Sequence, residues 1–214
     1  MKSKAVTAFC KICFSPINDH NFSTLFTPDS HICDKCYRTL NINFEKEVQD
    51  DLTTYYLSHY TETIKSLIYQ FKGLGDIELS SVFFERTAKV LHHYFRSYVL
   101  IPVPSSKEGN EKRGFNHVVE MFKPLNLPII HCLKKIKDIK QADLSKEERM
   151  KVKNNLMVVN GEQITGKKLL IIDDIKTTGS SLLASKELLL PFSPKKVLSL
   201  VFTRTMKKSP LSDN

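Results

Sequence analysis

Two adjacent acids and a hydroxyl-rich loop are the residues of this chain best suited to chemistry. Asp173 and Asp174 directly follow the apolar run Leu169–Ile172, and the loop Thr177–Ser181 begins three residues after the second acid. A continuous apolar run is typical of a strand in a parallel sheet that helices cover on both faces. Leucines at helical spacing follow, so the sequence predicts a strand, a binding loop and a helix start in that order.

This arrangement is suited to a phosphorylated sugar. The start of a helix offers unpaired backbone amides and the positive end of its dipole, and the short hydroxyl side chains add donors around a phosphate. Gly179 allows the backbone to approach a ligand closely or to adopt a positive φ. Because Asp173 and Asp174 would repel a bare phosphate, we expect them to bind ribose hydroxyls or Mg²⁺. A solvated Asp-Thr turn is the alternative.

Four of the five cysteines form two close pairs, Cys10 with Cys13 and Cys33 with Cys36. Two CxxC pairs are typical of a four-thiolate zinc site, which is structural because no coordination position remains for water or substrate. A redox-active pair is the alternative, but a catalytic CxxC motif would not need a second copy. The fifth cysteine, Cys132, lies in an apolar stretch and is interpreted as a small buried residue.

Length and composition predict a soluble, cytoplasmic protein of two units. Of the 214 residues, 41% are hydrophobic and 26% are charged, which suits one α/β domain with a small appendage. Met1–Phe9 lacks the apolar run of a signal peptide, and no stretch has the length of a membrane helix, so we expect no membrane insertion. We place a zinc-binding module at residues 1–45 and the main domain at residues 50–206, with the boundary in the polar bridge Asn41–Asp51.

Apolar spacing predicts the elements that carry the loop. Closely spaced aromatics in Thr53–Tyr60 favour an edge strand, and apolar residues from Ile64 to Phe71 mark the buried face of a helix. Further predictions are a long helix over Leu79–Phe95, strands over Tyr98–Val103 and Leu127–Leu133, and a charged loop over Ser105–Asn116. Ligands bind at the carboxyl ends of strands in open α/β sheets, so Arg113 and Asn116 of this loop are candidates to bind a diphosphate.

A basic stretch follows the strand that ends at Leu133. Residues 134–153 contain eight lysines and arginines against four acids, in a chain of net charge +9. Such a balance favours polyanionic partners. The stretch is interpreted as a nucleic-acid track, as a lid over the ligand or as a solvated helix face. The candidate DNA-binding residues are Lys134, Lys135, Lys137 and Lys140.

Taken in order, the motifs resemble those of the ComF family of competence proteins. The two CxxC pairs are followed by FKGLGD at Phe71–Asp76, IPVP at Ile101–Pro104, RGFN at Arg113–Asn116 and IIDDIKTTG at Ile171–Gly179. The last of these is similar to the phosphoribosyl-pyrophosphate (PRPP) motif of type I phosphoribosyltransferases. The chain departs from the ComF pattern at His117, where glutamine is usual, and from the phosphoribosyltransferase motif at Ser181, where threonine is usual.

The resemblance implies an α/β fold of the type I phosphoribosyltransferase kind, with a parallel sheet flanked by helices and a small amino-terminal four-cysteine zinc module. Residues 50–206 would then be the phosphoribosyltransferase-like domain. The implied ligands are PRPP with Mg²⁺ in this domain and structural Zn²⁺ on the cysteines. The candidate PRPP-binding residues are Arg113, Asn116, Asp173, Asp174, Lys176, Thr177, Thr178, Gly179, Ser180 and Ser181.

The resemblance also implies a cytosolic protein needed for natural transformation, in which DNA enters as single strands. Its partners would be single-stranded DNA and the competence machinery, such as a DNA-translocating helicase. A reaction is not implied, because a catalytic fold is sometimes kept as a binding module. The alternatives are an active phosphoribosyltransferase, for which no acceptor site is readable, and an adaptor that uses only its zinc module.

Overall fold

The computed structural model describes residues 8–17, 30–136 and 155–205, in which seven strands form two sheets. The strands are β1 (Glu45–Gln49), β2 (Leu52–His59), β3 (Tyr98–Pro102), β4 (Leu133–Lys135), β5 (Leu156–Val158), β6 (Lys168–Lys176) and β7 (Lys196–Arg204). The main sheet has the order β1-β2-β7-β6-β3. Its strands β2, β7, β6 and β3 are parallel, and β1 is antiparallel to β2. β4 and β5 form a separate antiparallel pair.

The helices of these residues flank the main sheet. They are α1 (Asp34–Thr39), α2 (Glu62–Ile68), α3 (Ser80–Phe83), α4 (Ala88–Phe95), α5 (Lys107–Arg113), α6 (His117–Phe122) and α7 (Ser180–Leu189). A π-helical turn at Tyr69–Gly73 extends α2, and 3₁₀ turns lie at Ile77–Leu79, Lys123–Leu125, Gly161–Ile164 and Leu190–Phe192.

Strand β6 is buried on both faces, as its apolar run predicts. Leu170 and Ile172 belong to the apolar cluster that contains residues of α2, α3 and α6, whereas Leu169 and Ile171 belong to the cluster that contains residues of α7. The two sets alternate because successive side chains of a strand point to opposite faces. Burial of each such side chain contributes about 1.5–3 kcal/mol, so β6 is firmly anchored up to its acids. The predicted α/β fold, with a parallel sheet between helices, is confirmed.

The stretch Thr53–Tyr60 forms a strand as predicted, but the prediction that it is an edge strand is wrong. β1 pairs along it in the register Glu45 opposite Tyr56 and Gln49 opposite Leu52. β1 lies in the segment that sequence analysis treats as a polar bridge, because its acids and lysine resemble a solvated linker. Such charges suit the free edge of a sheet, where they discourage pairing with another chain.

The prediction of a single helix over Leu79–Phe95 is also wrong, because the helical path is interrupted between α3 and α4. The break turns Glu85 and Arg86 towards the cysteine segment. Glu85 accepts a hydrogen bond of 2.8 Å from the His31 amide, and Arg86 donates one of 2.6 Å to Asp34. These contacts join parts of the chain that helical periodicity does not relate.

Two smaller predictions between β3 and β4 need correction. The charged loop Ser105–Asn116 contains α5, which Ser106 caps at its start and Gly114 ends with a φ of 81°. Its residues lack apolar periodicity, so the sequence gives no helix signal. The strand predicted over Leu127–Leu133 is reduced to a single bridge between Ile129 and Leu100, followed by β4. Pro128 and its missing amide interrupt that ladder.

The cysteine segment packs directly on the main core. Cys10, Ile17, Ile32 and Leu40 are buried in the same apolar cluster as Ile64 of α2. The boundary between a module at 1–45 and a domain at 50–206 therefore remains a prediction. Across the described ranges, none of the helices combines the length and apolarity needed to span a bilayer.

Candidate functional site

The predicted loop Thr177–Ser181 begins directly after β6, and its last two residues form the start of α7. Gly179, with a φ of 81°, caps α7 at its amino terminus, and the Thr178 and Ser180 hydroxyls lie 2.7 Å apart. The Ser180 amide donates to the Thr178 hydroxyl at 3.3 Å. Asp173 and residues 175–182 line a small cleft that contains this loop. Backbone amides and hydroxyls thus converge at a helix start, which is the geometry of an anion site.

Asp174 is held by two cationic or donor groups from distant parts of the chain. Its carboxylate is only 4% exposed, and its Oδ2 lies 2.8 Å from Lys72 Nζ and 3.3 Å from His117 Nε2. His117 Nδ1 lies 3.2 Å from the Ser105 hydroxyl and 3.3 Å from Arg113 Nη2. A chain of polar contacts therefore runs from Arg113 through His117 to Asp174.

The two acids have opposite electrostatic environments. Burial acts to raise the pKa of Asp174, but the contact with His117 and the charge of Lys72 outweigh burial and hold this pKa below its usual range. Burial, followed by the neighbouring Asp174 carboxylate, raises the pKa of Asp173 well above its usual range. Burial also lowers the pKa of His117 despite the attraction of Asp174. Asp174 is therefore the acid that stays ionised without a ligand. Asp173 is the acid whose ionised form would be favoured when a cation or hydrogen-bond donor binds beside it.

Both acids face a cavity of about 620 Å³ at the carboxyl ends of β3 and β6. Arg113, Asp173, Asp174, Thr177 and Ser181 of the predicted set line this cavity together. Its other polar lining residues are Lys72, Ser105, Ser106, His117, Lys135 and Asn155. Three cationic side chains thus surround two acids and a donor-rich loop, and this combination fits an anionic ligand that also carries hydroxyl groups.

Lys176 lies beneath the loop. Its side chain is only 7% exposed, and its ammonium contacts Glu47 and, at 2.9 Å, Gln49 Oε1 of β1. Glu47 also contacts Arg204 of β7. A Cβ on Gly179 would lie 2.7 Å from Lys176 Cε, so the loop rests closely on this lysine, and the φ of 81° favours glycine at this position. β1 therefore supports the loop through Lys176.

The other candidates differ in placement. Asn116 caps α6 by accepting hydrogen bonds of 3.1 and 3.3 Å from the Val118 and Val119 amides, and its role in ligand binding stays a prediction. Lys134 is exposed, whereas Lys135 lines the cavity. Lys137 and Lys140 lie outside the described residues.

The four cysteines of the two pairs come together. All four Sγ atoms lie within 4.8 Å of one another, and those of Cys13 and Cys33 are 3.8 Å apart. A tetrahedral Zn²⁺ with bonds of about 2.3 Å places its sulfurs about 3.8 Å apart, so the donor set fits zinc. Hydrogen bonds from Ser15 lower the pKa of Cys13 to about 6, and burial raises that of Cys36. Cys132 is buried elsewhere, in the cluster around α7, as predicted.

Sequence analysis missed three residues of this site. Lys72 belongs to the FKGLGD string, to which the resemblance assigns no role, and the π-helical turn that directs it to Asp174 has no sequence signal. His117 was noted only as a departure from the family pattern. Glu47 was assigned to the polar bridge. The one sequence signal that points to Lys72 is its position in FKGLGD, a family motif that has no role assigned to it.

Known proteins resemble this chain in sequence. Residues 110–214 match the phosphoribosyl transferase domain family. Competence protein ComFC of Bacillus subtilis (strain 168) is 27% identical over 165 residues, covering 71% of this chain and 68% of that protein. The chain is a ComFC-like, phosphoribosyltransferase-like protein.

Competence protein ComFC of Streptococcus pneumoniae (strain R6) is 28% identical over 145 residues, covering 68% of this chain and 65% of that protein. This chain thus spans just under two thirds of the pneumococcal ComFC. Among solved structures, a hypoxanthine phosphoribosyl transferase of Trypanosoma cruzi has a TM-score of 0.38 and 14% identity, covering 64% of this chain and 72% of that one.

Proposed function

We propose that this chain is a ComFC-type competence protein of the cytoplasm that binds PRPP, or a related phosphoribosyl ligand, together with Mg²⁺ and acts on single-stranded DNA during natural transformation. The observation that carries the proposal is the single cavity in which the acid pair, the hydroxyl loop and the cations Lys72, Arg113 and Lys135 converge. Its partners would include the competence machinery, such as a DNA-translocating helicase.

Each group of the cavity suits one part of PRPP. The loop from Thr177 to Ser181 supplies amides and hydroxyls for the 5′-phosphate, and Asp173 accepts hydrogen bonds from the ribose hydroxyls. Lys72 and Arg113 lie where they would neutralise a pyrophosphate group. Bound Mg²⁺ would supply further charge neutralisation of the phosphate oxygens. The raised pKa of Asp173 is consistent with this role, since a ligand hydroxyl or cation would favour its ionised form.

We further propose that the four cysteines hold one structural Zn²⁺. The compact cluster of sulfurs supports this assignment. With four thiolates as ligands, the ion has no open coordination position for substrate. Its role would be to stabilise the fold of the cysteine segment, including the exposed part around Cys13.

For the DNA-binding part of the function, Lys134 and Lys135 form a matched pair on β4. Neighbouring side chains of a strand point to opposite faces, so only Lys135 reaches the PRPP cavity, while Lys134 is exposed. We propose that Lys134, with Lys137 and Lys140 farther along the chain, contacts the phosphates of single-stranded DNA.

Lys134→Gln is expected to weaken single-stranded DNA binding and to reduce its logarithmic salt slope by about 0.7, the value for one neutralised phosphate. Lys135→Gln should instead weaken PRPP binding and leave the salt slope unchanged. Anisotropy titrations with an oligonucleotide at several salt concentrations, and calorimetry with PRPP, measure the two effects. Equal effects of both variants on PRPP, with no effect on DNA, would make this stretch a lid rather than a DNA track.

Glu47→Gln is expected to weaken PRPP binding about tenfold, although Glu47 does not line the cavity. Without the Glu47 carboxylate, Lys176 and the loop above it would shift, and the ligand would lose roughly one charge-assisted hydrogen bond. Glu45→Gln on the same strand is the matched control, since its carboxylate accepts a hydrogen bond of 2.7 Å from the Tyr56 hydroxyl, away from Lys176. Calorimetry with PRPP and Mg²⁺ measures both. Unchanged affinity in Glu47→Gln would show that β1 does not support the loop.

A further inference from the structure

A second cavity, of about 740 Å³, lies beside the proposed PRPP cavity. The two share Lys72, Arg113 and Ile175, so this side-chain wall separates them. α2 and the π-helical turn form one side of the second cavity, and α5 forms the other. We call it the tyrosine groove, after Tyr60 and Tyr69 in its lining.

The Tyr69 ring has one face on the protein and a large part of its surface in solvent. Tyr69 is 62% exposed, so much of its ring surface is accessible to a ligand in the groove. A Cβ on Gly73 would lie 2.8 Å from Tyr69 Cδ2, so the ring rests directly on this glycine. The same π-helical turn directs Lys72 to Asp174. It therefore fixes a flat aromatic surface at one position and a cation of the PRPP cavity three residues later.

The charges around the groove favour an anion. Lys65 and Lys112 are exposed members of its lining, and Lys72 and Arg113 form its inner wall. The groove lining contains one acid, Glu62, at 3.2 Å from Lys65. An exposed ion pair of this kind is weak. The groove therefore keeps a net positive charge, because its lining contains four basic residues and one acid.

We propose that the tyrosine groove holds one nucleotide of a single-stranded DNA, with its base stacked on Tyr69 and its flanking phosphates near Lys65 and Lys112. Aromatic platforms combined with basic rims are the usual means of binding single strands without sequence preference. The apolar floor of Ile68 and Ile175 suits a base, and the cations suit a phosphate backbone rather than an uncharged partner. The proposal rests on the DNA-binding part of the proposed function and assigns it a site.

Tyr69→Ala is expected to weaken binding of a thymidine 12-mer about 5- to 150-fold at fixed salt, the range for losing one stacked base. Leu74→Ala is the matched control, because Leu74 is an equally exposed apolar residue just beyond the same turn, at 67% exposure. It should bind like the parent protein. An abasic 12-mer should bind the parent and Tyr69→Ala alike, since only the base contact is lost.

Tyr69→Trp gives a direct signal, because the chain contains no tryptophan of its own. Its fluorescence should be quenched by the 12-mer and much less by the abasic strand or by PRPP. If the parent protein binds no single-stranded DNA at all, the DNA-binding part of the proposed function fails. If the parent binds it and Tyr69→Ala matches Leu74→Ala, or if free nucleobases quench the tryptophan as strongly as DNA does, the groove has another occupant and this inference is overturned.

Discussion

Replacing either acid of the pair should abolish PRPP binding, but the two replacements should shift the stability of the unliganded protein in opposite directions. Asp174→Asn removes a buried negative charge that lies 2.8 Å from Lys72 and 3.3 Å from His117. Loss of one partner of such a set costs about 1–3 kcal/mol, which lowers the melting temperature by several degrees. Asp173→Asn relieves a burial and repulsion cost, which the raised pKa of Asp173 reports, and should raise the melting temperature.

The pH dependence of thermal stability distinguishes the two environments. Because the folded-state pKa of Asp173 is raised, its contribution to stability is fully present below the usual carboxyl range and is lost as the pH rises through the raised value. Thermal melts across this window should show a fall in stability for the parent protein that Asp173→Asn reduces. If both variants melt lower by the same amount at every pH, the two acids are equivalent and the assigned environments are wrong.

Removal of the metal is expected to have the largest structural effect. We expect one Zn²⁺ per chain, and we expect chelation or Cys13→Ser to unfold the cysteine segment, since apparent zinc binding contributes about 10–16 kcal/mol in small zinc modules. Because Ile32 and Leu40 are buried in the main core, the loss should also lower the melting temperature of the remainder. Metal analysis and calorimetric melts measure both effects.

Cys132→Ala is the matched control for the zinc prediction. Its thiol is buried outside the four-sulfur cluster, so this variant should retain the full complement of zinc. A Cys13→Ser protein that keeps one tightly bound zinc and an unchanged melting temperature would refute the four-thiolate site. A reductant-dependent melting temperature in metal-free protein would instead favour the redox interpretation of the cysteines.

Local patterns predicted the parts of this site that are local in sequence. The run Leu169–Ile172 predicted β6 because both faces of a buried strand must be apolar, and the following Thr177–Ser181 predicted the loop because helix starts need short polar side chains. The CxxC pairs predicted their own cluster for a similar reason, because two ligands three residues apart already share one turn. In each case the chemistry and the geometry lie within a few neighbouring residues.

Contacts between distant segments could not be predicted in this way. Lys72 lies 102 residues from Asp174, and Glu47 lies 129 residues from Lys176. No periodicity relates such positions, because the packing of the π-helical turn beside β6 brings Lys72 to Asp174 and the order of strands in the sheet brings Glu47 to Lys176. The break before α4 has the same origin, since Glu85 and Arg86 leave a helical path to bind the cysteine segment. The functional assignment of the acid pair was therefore readable, but the residues that set its two environments were not.

Calorimetric titration of the purified chain with PRPP, in the presence and absence of Mg²⁺, measures whether the cavity around Asp173 and Asp174 binds a phosphoribosyl ligand. We expect one binding event per chain that is strengthened by Mg²⁺, competed by pyrophosphate and lost in a protein with both Asp173 and Asp174 replaced by asparagine. Absence of binding by a folded, zinc-loaded protein, or equal binding by the double variant, would show that this cavity does not bind PRPP through its acid pair.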